Sequence, residues 1–160
     1  MIEDFAHESG LYLYDRRVWV KDAAWANSRW ASSSYRAVDE FEYVFLLWKP
    51  GVTKVDRARL LPDEWVEWGS RAVWNIPSVR ANDNHEAKFP IELPLRLIKM
   101  LTDPGEIVLD PFAGSGTSMV AATQLGRIPI GIDLLPEYVK LSNKALNKAK
   151  SEPVQGKLPL

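Results

Sequence analysis

The chain contains no cysteine. That excludes a disulfide framework and thiolate metal sites, and it suits a reducing compartment such as the cytoplasm. His85 has no companion at metal-ligand spacing, so no metal site is expected. Charge of neither sign is in excess. Twenty Lys and Arg against 21 Asp and Glu leave a net charge of −1, so no global basic field advertises nucleic acid binding. No apolar run approaches the roughly 20 residues of a membrane-spanning helix, and no membrane partner is expected. The opening residues, MIEDFAHESG, are acidic and lack an apolar core, so no signal peptide is expected. There is no internal repeat and no low-complexity segment. No two of the 11 prolines are adjacent, an absence that gains meaning below.

What is present has one organising stretch, Glu106 to Asp133, within a chain of 160 residues long enough for a sizeable core. Ile107-Val108-Leu109 is a short apolar run of the kind found in buried strands. Asp110-Pro111 stops it, because proline cannot donate to a ladder. Phe112-Ala113-Gly114-Ser115-Gly116 then allows a sharp turn and a close approach of ligand to backbone. Thr117 to Leu125 reads as a helix closed by Gly126, and Ile128 to Ile132 as a second strand ending at Asp133. The unit is strand, glycine loop, helix, strand, acid. Its helix start offers unpaired N–H groups, and an acid roughly 20 residues after the first strand can accept both hydroxyls of a ribose. The loop lacks the lysine of a phosphate-binding P-loop and the three spaced glycines of a dinucleotide site. An ordinary tight strand-to-helix turn is the plainer reading of the loop alone.

The flanks read more simply. Met1 to Gly10 has the form of a helix end with Gly10 as its stop, and Leu11 to Lys21 reads as one strand or two joined by a bend. Trp19 is expected in the core and Lys21 at the surface. Residues 22–36 are loop-like, with Arg29 and Arg36 interleaved with Trp25, Trp30 and Tyr35. They either face a single-stranded or flipped nucleic acid or pack their aromatics back on the sheet. Tyr43 to Trp48 reads as a short buried strand. Pro62-Asp63-Glu64 opens a short helix ended by Gly69, and Trp74 to Pro77 reads as a turn pinned by an aromatic. Leu93, Leu97 and Leu101, with Ile98 beside them, place an apolar face on a helix over Glu92 to Thr102. Pro136 opens a last helix with Tyr138, Leu141, Ala145 and Ala149 on one face. The residues from 151 to 160 read as a loose tail.

Asp110-Pro111-Phe112-Ala113-Gly114-Ser115-Gly116-Thr117 resembles the S-adenosylmethionine loop of the amino-group DNA methyltransferases, which modify the exocyclic nitrogen of adenine or cytosine. His85 to Pro94 resembles that family's second cofactor-pocket motif, and Gly131-Ile132-Asp133 followed by Tyr138 resembles its ribose motif. The order, pocket motif before glycine loop, is that of the permuted, beta-type subgroup, in which the catalytic motif lies N-terminal to both. The resemblance implies an α/β fold of the Rossmann-like, S-adenosylmethionine-dependent methyltransferase kind. It implies S-adenosyl-L-methionine as cofactor and double-stranded DNA as partner, in the setting of bacterial or phage restriction and modification. It also implies cofactor-binding roles for Phe89, Pro90, Asp110, Phe112, Gly114, Ser115, Gly116, Thr117 and Asp133. Asp133 stands where the family more often has glutamate; it is shorter but still accepts two hydroxyls. By position, residues 50–84 would carry target recognition, with Arg57, Arg59, Arg71 and Arg80, joined by Arg29 and Arg36, as candidate nucleic-acid contacts. An irregular connection with a solvated helix is the alternative for that segment. The absence of cysteine excludes the thiolate chemistry of cytosine-C5 methylation, whereas methylation of an exocyclic amine needs no thiol.

The family's catalytic motif is a polar residue followed by Pro-Pro and an aromatic, and this chain has no adjacent prolines. No catalytic residue is therefore assigned. Matching segments divides the chain into flanking strands of the sheet at 1–49, an insertion at 50–84, a cofactor-binding half at 85–150 and a tail at 151–160. The central sheet is incomplete: the strand expected beside 107–109 is missing, and its edge would lie open. Three readings follow. The chain is the cofactor-binding half of a split or truncated methyltransferase that needs an N-terminal half in trans. It is a catalytically inactive module that binds nucleic acid or a partner on the same fold. Or it fills the missing position by pairing with a second copy of itself.

Overall fold

The computed structural model describes residues 2–21, 40–51, 56–79 and 89–151. Arg29, Arg36, Arg80 and His85, and the aromatics of the 22–36 segment, lie outside the described residues. The chain divides into two compact units, Met1–Asp56 with Pro62–Ser78, and Arg57–Leu61 with Val79–Leu160.

The first unit begins with helix α1 (Ile2–Glu8), which ends at Gly10 in the left-handed conformation that favours glycine. Strand β1 (Tyr12–Val20) follows as one continuous strand, with a register slip between Leu13 and Asp15. β2 (Phe41–Trp48) runs antiparallel to it, Val18 opposite Tyr43. On the other side β3 (Val73–Asn75) runs parallel, Trp19 beside Trp74. β3 corrects the sequence reading of Trp74 to Pro77 as a turn. β2 is also less buried than its composition suggests: Leu46 is in the core, while Phe41, Tyr43 and Leu47 are exposed.

The core of this unit is built around tryptophans whose N–H groups find backbone carbonyls. Trp19 Nε1 donates to Ile76 O at 2.7 Å, and Trp74 Nε1 to Trp68 O at 2.8 Å. Between β2 and β3 in sequence, α2 (Pro62–Glu64) widens into a π-turn over Trp65–Gly69, where a regular helix is expected from sequence. Arg17 explains how that wide turn is held. Its Nη1 donates to Gly69 O at 2.9 Å and Arg71 O at 3.0 Å, its Nε meets Asp15 at 3.1 Å, and its guanidinium lies 5.0 Å from the Trp74 ring. The last carbonyl of the π-turn and that of Arg71 just beyond it thus share one buried cation as donor.

The second unit packs around a short helix. α3 (Glu92–Leu101) leads to β4 (Ile107–Asp110), then α4 (Thr117–Gln124), β5 (Ile128–Gly131) and α5 (Pro136–Ser151). β4 and β5 are parallel, Ile107 beside Ile128 and Asp110 beside Gly131, so α4 is the crossover of a βαβ unit. α3 and α5 both pack on α4. Ala121 and Ala122 have no exposed surface, which lets neighbours approach α4 closely. The buried face of α3 is Pro94, Leu95 and Ile98; of the expected Leu93, Leu97, Leu101 and Ile98, Ile98 is in the core, Leu93 and Leu97 are half-buried and Leu101 is exposed.

The turns of this unit are tied by buried arginines. Arg127 donates to Thr102 Oγ1 at 2.9 Å and Leu125 O at 2.6 Å, and also to Thr102 O. Burial lowers its pKa from the ordinary arginine value, with Asp103 opposing and Arg59 adding to the shift. Arg59, on the 3₁₀ turn Arg57–Arg59, grips both carboxylate oxygens of Asp103, at 2.8 and 3.0 Å.

Candidate functional site

The glycine loop joins the carboxyl end of β4 to the start of α4, where a parallel sheet presents its ligand crevice. Asp110 closes the strand. Its Oδ1 accepts the Phe112 N–H at 2.9 Å, and its Oδ2 accepts the Ser118 hydroxyl from the first turn of α4. The turn between strand and helix is thereby fixed by one carboxylate. The neighbouring strand contributes next: Ile132 N–H donates to Asp110 O, and Ala113 N–H to Ile132 O, each at 2.8 Å.

Two glycines carry the loop. Gly114 has φ 50° and Gly116 has φ 85°, both in the left-handed region. At Gly116 a Cβ would stand 2.8 Å from Ser142 Cβ and 2.9 Å from its Cα, so α5 excludes any side chain there. A third glycine matters from below. A Cβ on Gly131 would collide with Met119 and reach Ala113 at 3.0 Å, so this residue lets α4 sit on the sheet.

Asp133 completes the site. Its Oδ2 accepts Gly114 N–H at 2.8 Å, and its Oδ1 accepts Leu135 N–H at 3.0 Å. A carboxylate has about four lone-pair sites, so each oxygen keeps acceptor capacity for a ligand hydroxyl. Phe112 is 87% exposed and Leu134 is 94% exposed, which offers apolar surface to a flat ring on either side of the acid and the loop. Ser115 and Thr117 face each other at 3.4 Å between hydroxyl oxygens. The first N–H groups of α4 have no intrahelical partner by geometry. This arrangement of acceptors and apolar surface suits a ligand with a cationic amine near Asp110, a diol near Asp133 and a heteroaromatic ring near the exposed apolar groups.

The structure therefore brings together Asp110, Phe112, Gly114, Ser115, Gly116, Thr117 and Asp133. Phe89 and Pro90 stand at the entry to α3 in the same unit, where Pro90 O accepts Leu93 N–H at 3.1 Å. The sequence reading missed Ser118, whose hydroxyl restrains Asp110, and Ser142, whose small size makes room for the loop. Among the candidate nucleic-acid residues, Arg59 is occupied by Asp103, with only 6% of its side chain exposed. Arg71 is exposed and donates to Val66 O at 3.1 Å. Among the described residues no group of His, Cys, Asp and Glu can hold a metal ion, and no helix is long and apolar enough to cross a membrane.

Residues 1–144 match the N6/N4 methyltransferase family described as DNA methylase. The chain is 58% identical over 144 residues to the type II methyltransferase M.BglI of Bacillus subtilis, covering 90% of this chain and 41% of that protein. It is 36% identical over 147 residues to the type II methyltransferase M.Cfr9I of Citrobacter freundii, covering 91% of this chain and 47% of that one. A candidate DNA modification methylase from Thermus thermophilus, solved with S-adenosyl-L-methionine, superposes with a TM-score of 0.71 at 29% identity. That superposition covers 99% of this chain and 64% of the other. The chain thus spans less than half the length of the two curated relatives.

Proposed function

The chain belongs to the N6/N4 DNA methylase family, and from that membership we propose that it is the S-adenosylmethionine-binding part of a site-specific DNA amino-methyltransferase. One observation carries the reading. Asp110, the Gly114 backbone and Asp133 converge at the carboxyl ends of two parallel strands, beside an exposed aromatic. Each group has a counterpart in the ligand: an ammonium for Asp110, a ribose diol for Asp133 and an adenine ring for Phe112, with Phe89 and Pro90 as further pocket walls. Gly114, Ser115 and Gly116 let the methionine end approach the main chain, and Thr117 offers its N–H and hydroxyl. The cofactor supplies the electrophilic methyl group. The chain's own residues bind and orient, so their contribution to rate is positioning.

The residues that accept the target amine's hydrogens belong to a segment this chain lacks, since no two of its prolines adjoin. The complete methyltransferase acts on double-stranded DNA, at adenine N6 or cytosine N4, in a cytoplasmic setting. Residues 50–84 supply its target contacts, with Arg57 and Arg71 as the described candidates and Arg29, Arg36 and Arg80 beyond them.

Calorimetric titration with S-adenosylmethionine tests the reading. Saturable heat that Asp133→Ala abolishes is expected. A folded chain that takes up no cofactor, alone or completed by the rest of a methyltransferase, would overturn it in favour of an inactive binding module.

A further inference from the structure

The chain as a whole has no basic excess, but one helix does. α5 carries Lys140, Lys144, Lys148 and Lys150 and a single acid, Glu137, while the net charge of the chain is −1. Lys140, Lys144 and Lys148 recur four residues apart, so they stand in a row on one helical face, about 6 Å from step to step. Asn143 and Asn147 lie beside the row, and all five residues are exposed. The opposite face holds the buried Ser142 and Ala149, and α5 packs on α4. Among the described residues none of the four lysine ammonium groups meets a carboxylate. Two ordinary causes of surface lysine fall short of this row. The helix dipole favours cations in the last turn, which accounts for Lys148 and Lys150 but not for Lys140 in the second turn or Lys144 in the middle. A solvated face interleaves the two signs, because Glu–Lys pairs four apart stabilise a helix and like charges at that spacing repel. Here no acid stands between Glu137 and Glu152, so Lys140 with Lys144 and Lys144 with Lys148 are both like-charge pairs. The row is a local cost to the helix that a polyanion would relieve.

We propose that the Lys140, Lys144 and Lys148 face of α5 binds the phosphate backbone of double-stranded DNA, without regard to sequence and outside the target site. A duplex carries one negative charge per about 1.7 Å of its axis, so a row of three cations meets phosphates whatever the bases are. Lysine suits that task, because its ammonium is a compact point charge that positions a duplex without reading it. Two other anionic partners fit less well. A helix that lies on a membrane inserts an apolar face, and the buried face of α5 is already packed on α4. The core of a protein interface is depleted of lysine and built on aromatic anchors, whereas this row has asparagines beside it. The row shares no residue with the candidate cofactor site or with residues 50–84. The choice of DNA as the polyanion rests on the proposed methyltransferase reading.

The test is the salt dependence of binding by the 160-residue chain to a labelled duplex of arbitrary sequence, read by fluorescence anisotropy. The parent is compared with the triple variant Lys140→Gln, Lys144→Gln, Lys148→Gln and with the triple variant that places arginine at the same three positions. Each phosphate contact contributes about 0.9 to the slope of log K against log salt, so the glutamine variant is expected to lose about 2.7 from that slope. The arginine variant, which keeps the charge, is expected to retain the slope. Urea unfolding checks that the glutamine variant is folded; it should be at least as stable as the parent, since two like-charge pairs are gone. A parent chain with no salt-dependent binding overturns the proposal, and so does a glutamine variant with the parental slope. Binding to phosphatidylserine vesicles that equals binding to duplex, and is lost in the glutamine variant, overturns DNA as the partner. S-adenosylmethionine titration of the same samples reports separately on function. Cofactor binding with an unchanged slope sinks the lysine surface and leaves the proposed function standing; a reduced slope in a chain that takes up no cofactor does the reverse.

Discussion

The Gly114 N–H donates to Asp133 Oδ2 at 2.8 Å, so the acid just beyond β5 ties down the glycine loop. Asp133 is then both part of the loop's frame and the candidate diol acceptor. The expected consequence is a graded response to substitution. Asp133→Asn keeps the size and one acceptor but loses the charge, and S-adenosylmethionine affinity should fall about tenfold, the equivalent of about 1.4 kcal/mol. Asp133→Glu should stay closer to the parent, because both oxygens remain acceptors. Calorimetry checks the order; an Asn variant that binds as well as the parent would remove Asp133 from the site.

Strand, glycine loop, helix, strand and acid are legible in the sequence because each depends on neighbours within a few residues. A branched apolar run, a proline stop, glycines at positive φ and an alanine-rich helix declare themselves locally. β3 does not. Val73–Asn75 becomes a strand by pairing with Val18 to Val20, more than 50 residues away, and three residues carry no alternation to reveal it. The exposure of Ile107 and Leu109 is hidden for a related reason. Their composition is that of a strand buried on both faces, yet both side chains are more than half exposed among the described residues.

Two glycines separate backbone strain from collision. Gly126 has φ 74° with open space where a Cβ would stand, whereas Gly116 has φ 85° and the Ser142 backbone in the way. Gly126→Ala should cost about 1 kcal/mol from the left-handed conformation alone. Gly116→Ala should cost about 3 kcal/mol, adding overpacking to the same conformational term. Urea unfolding of the two variants measures the difference. Equal losses would mean that α5 yields easily at Ser142.

Arg17 should behave as a buried structural cation. Arg17→Met removes its bonds to the carbonyls of Gly69 and Arg71 and leaves the buried Gly69 carbonyl without that donor. A loss of about 2 to 3 kcal/mol is expected. Arg17→Lys should recover only part of it, because an ammonium cannot span carbonyls and carboxylate in the same plane. Trp68 and Trp74 meet edge-to-face with centroids 6.2 Å apart beside this cation, so their near-ultraviolet dichroism gives a local readout. A Met variant with parental stability and dichroism would show that the π-turn holds itself.

Arg59 and Arg71 divide the work that sequence alone assigned to both. Arg59 is committed to Asp103 through two oxygens, so Arg59→Ala should lower stability by about 2 kcal/mol. A double-mutant cycle with Asp103→Ala should recover a coupling of about 1 kcal/mol. Arg71 is exposed, and Arg71→Ala should change stability by less than about 0.5 kcal/mol. The two residues should separate again in DNA binding by the completed methyltransferase. Removing a phosphate-binding arginine at position 71 reduces the slope of log K against log salt by about 0.9, whereas removing a structural arginine leaves that slope unchanged. Filter binding across a salt series distinguishes them. A reduced slope for Arg59→Ala would mean that the ion pair opens on DNA, and an unchanged slope for Arg71→Ala would remove Arg71 from the DNA interface.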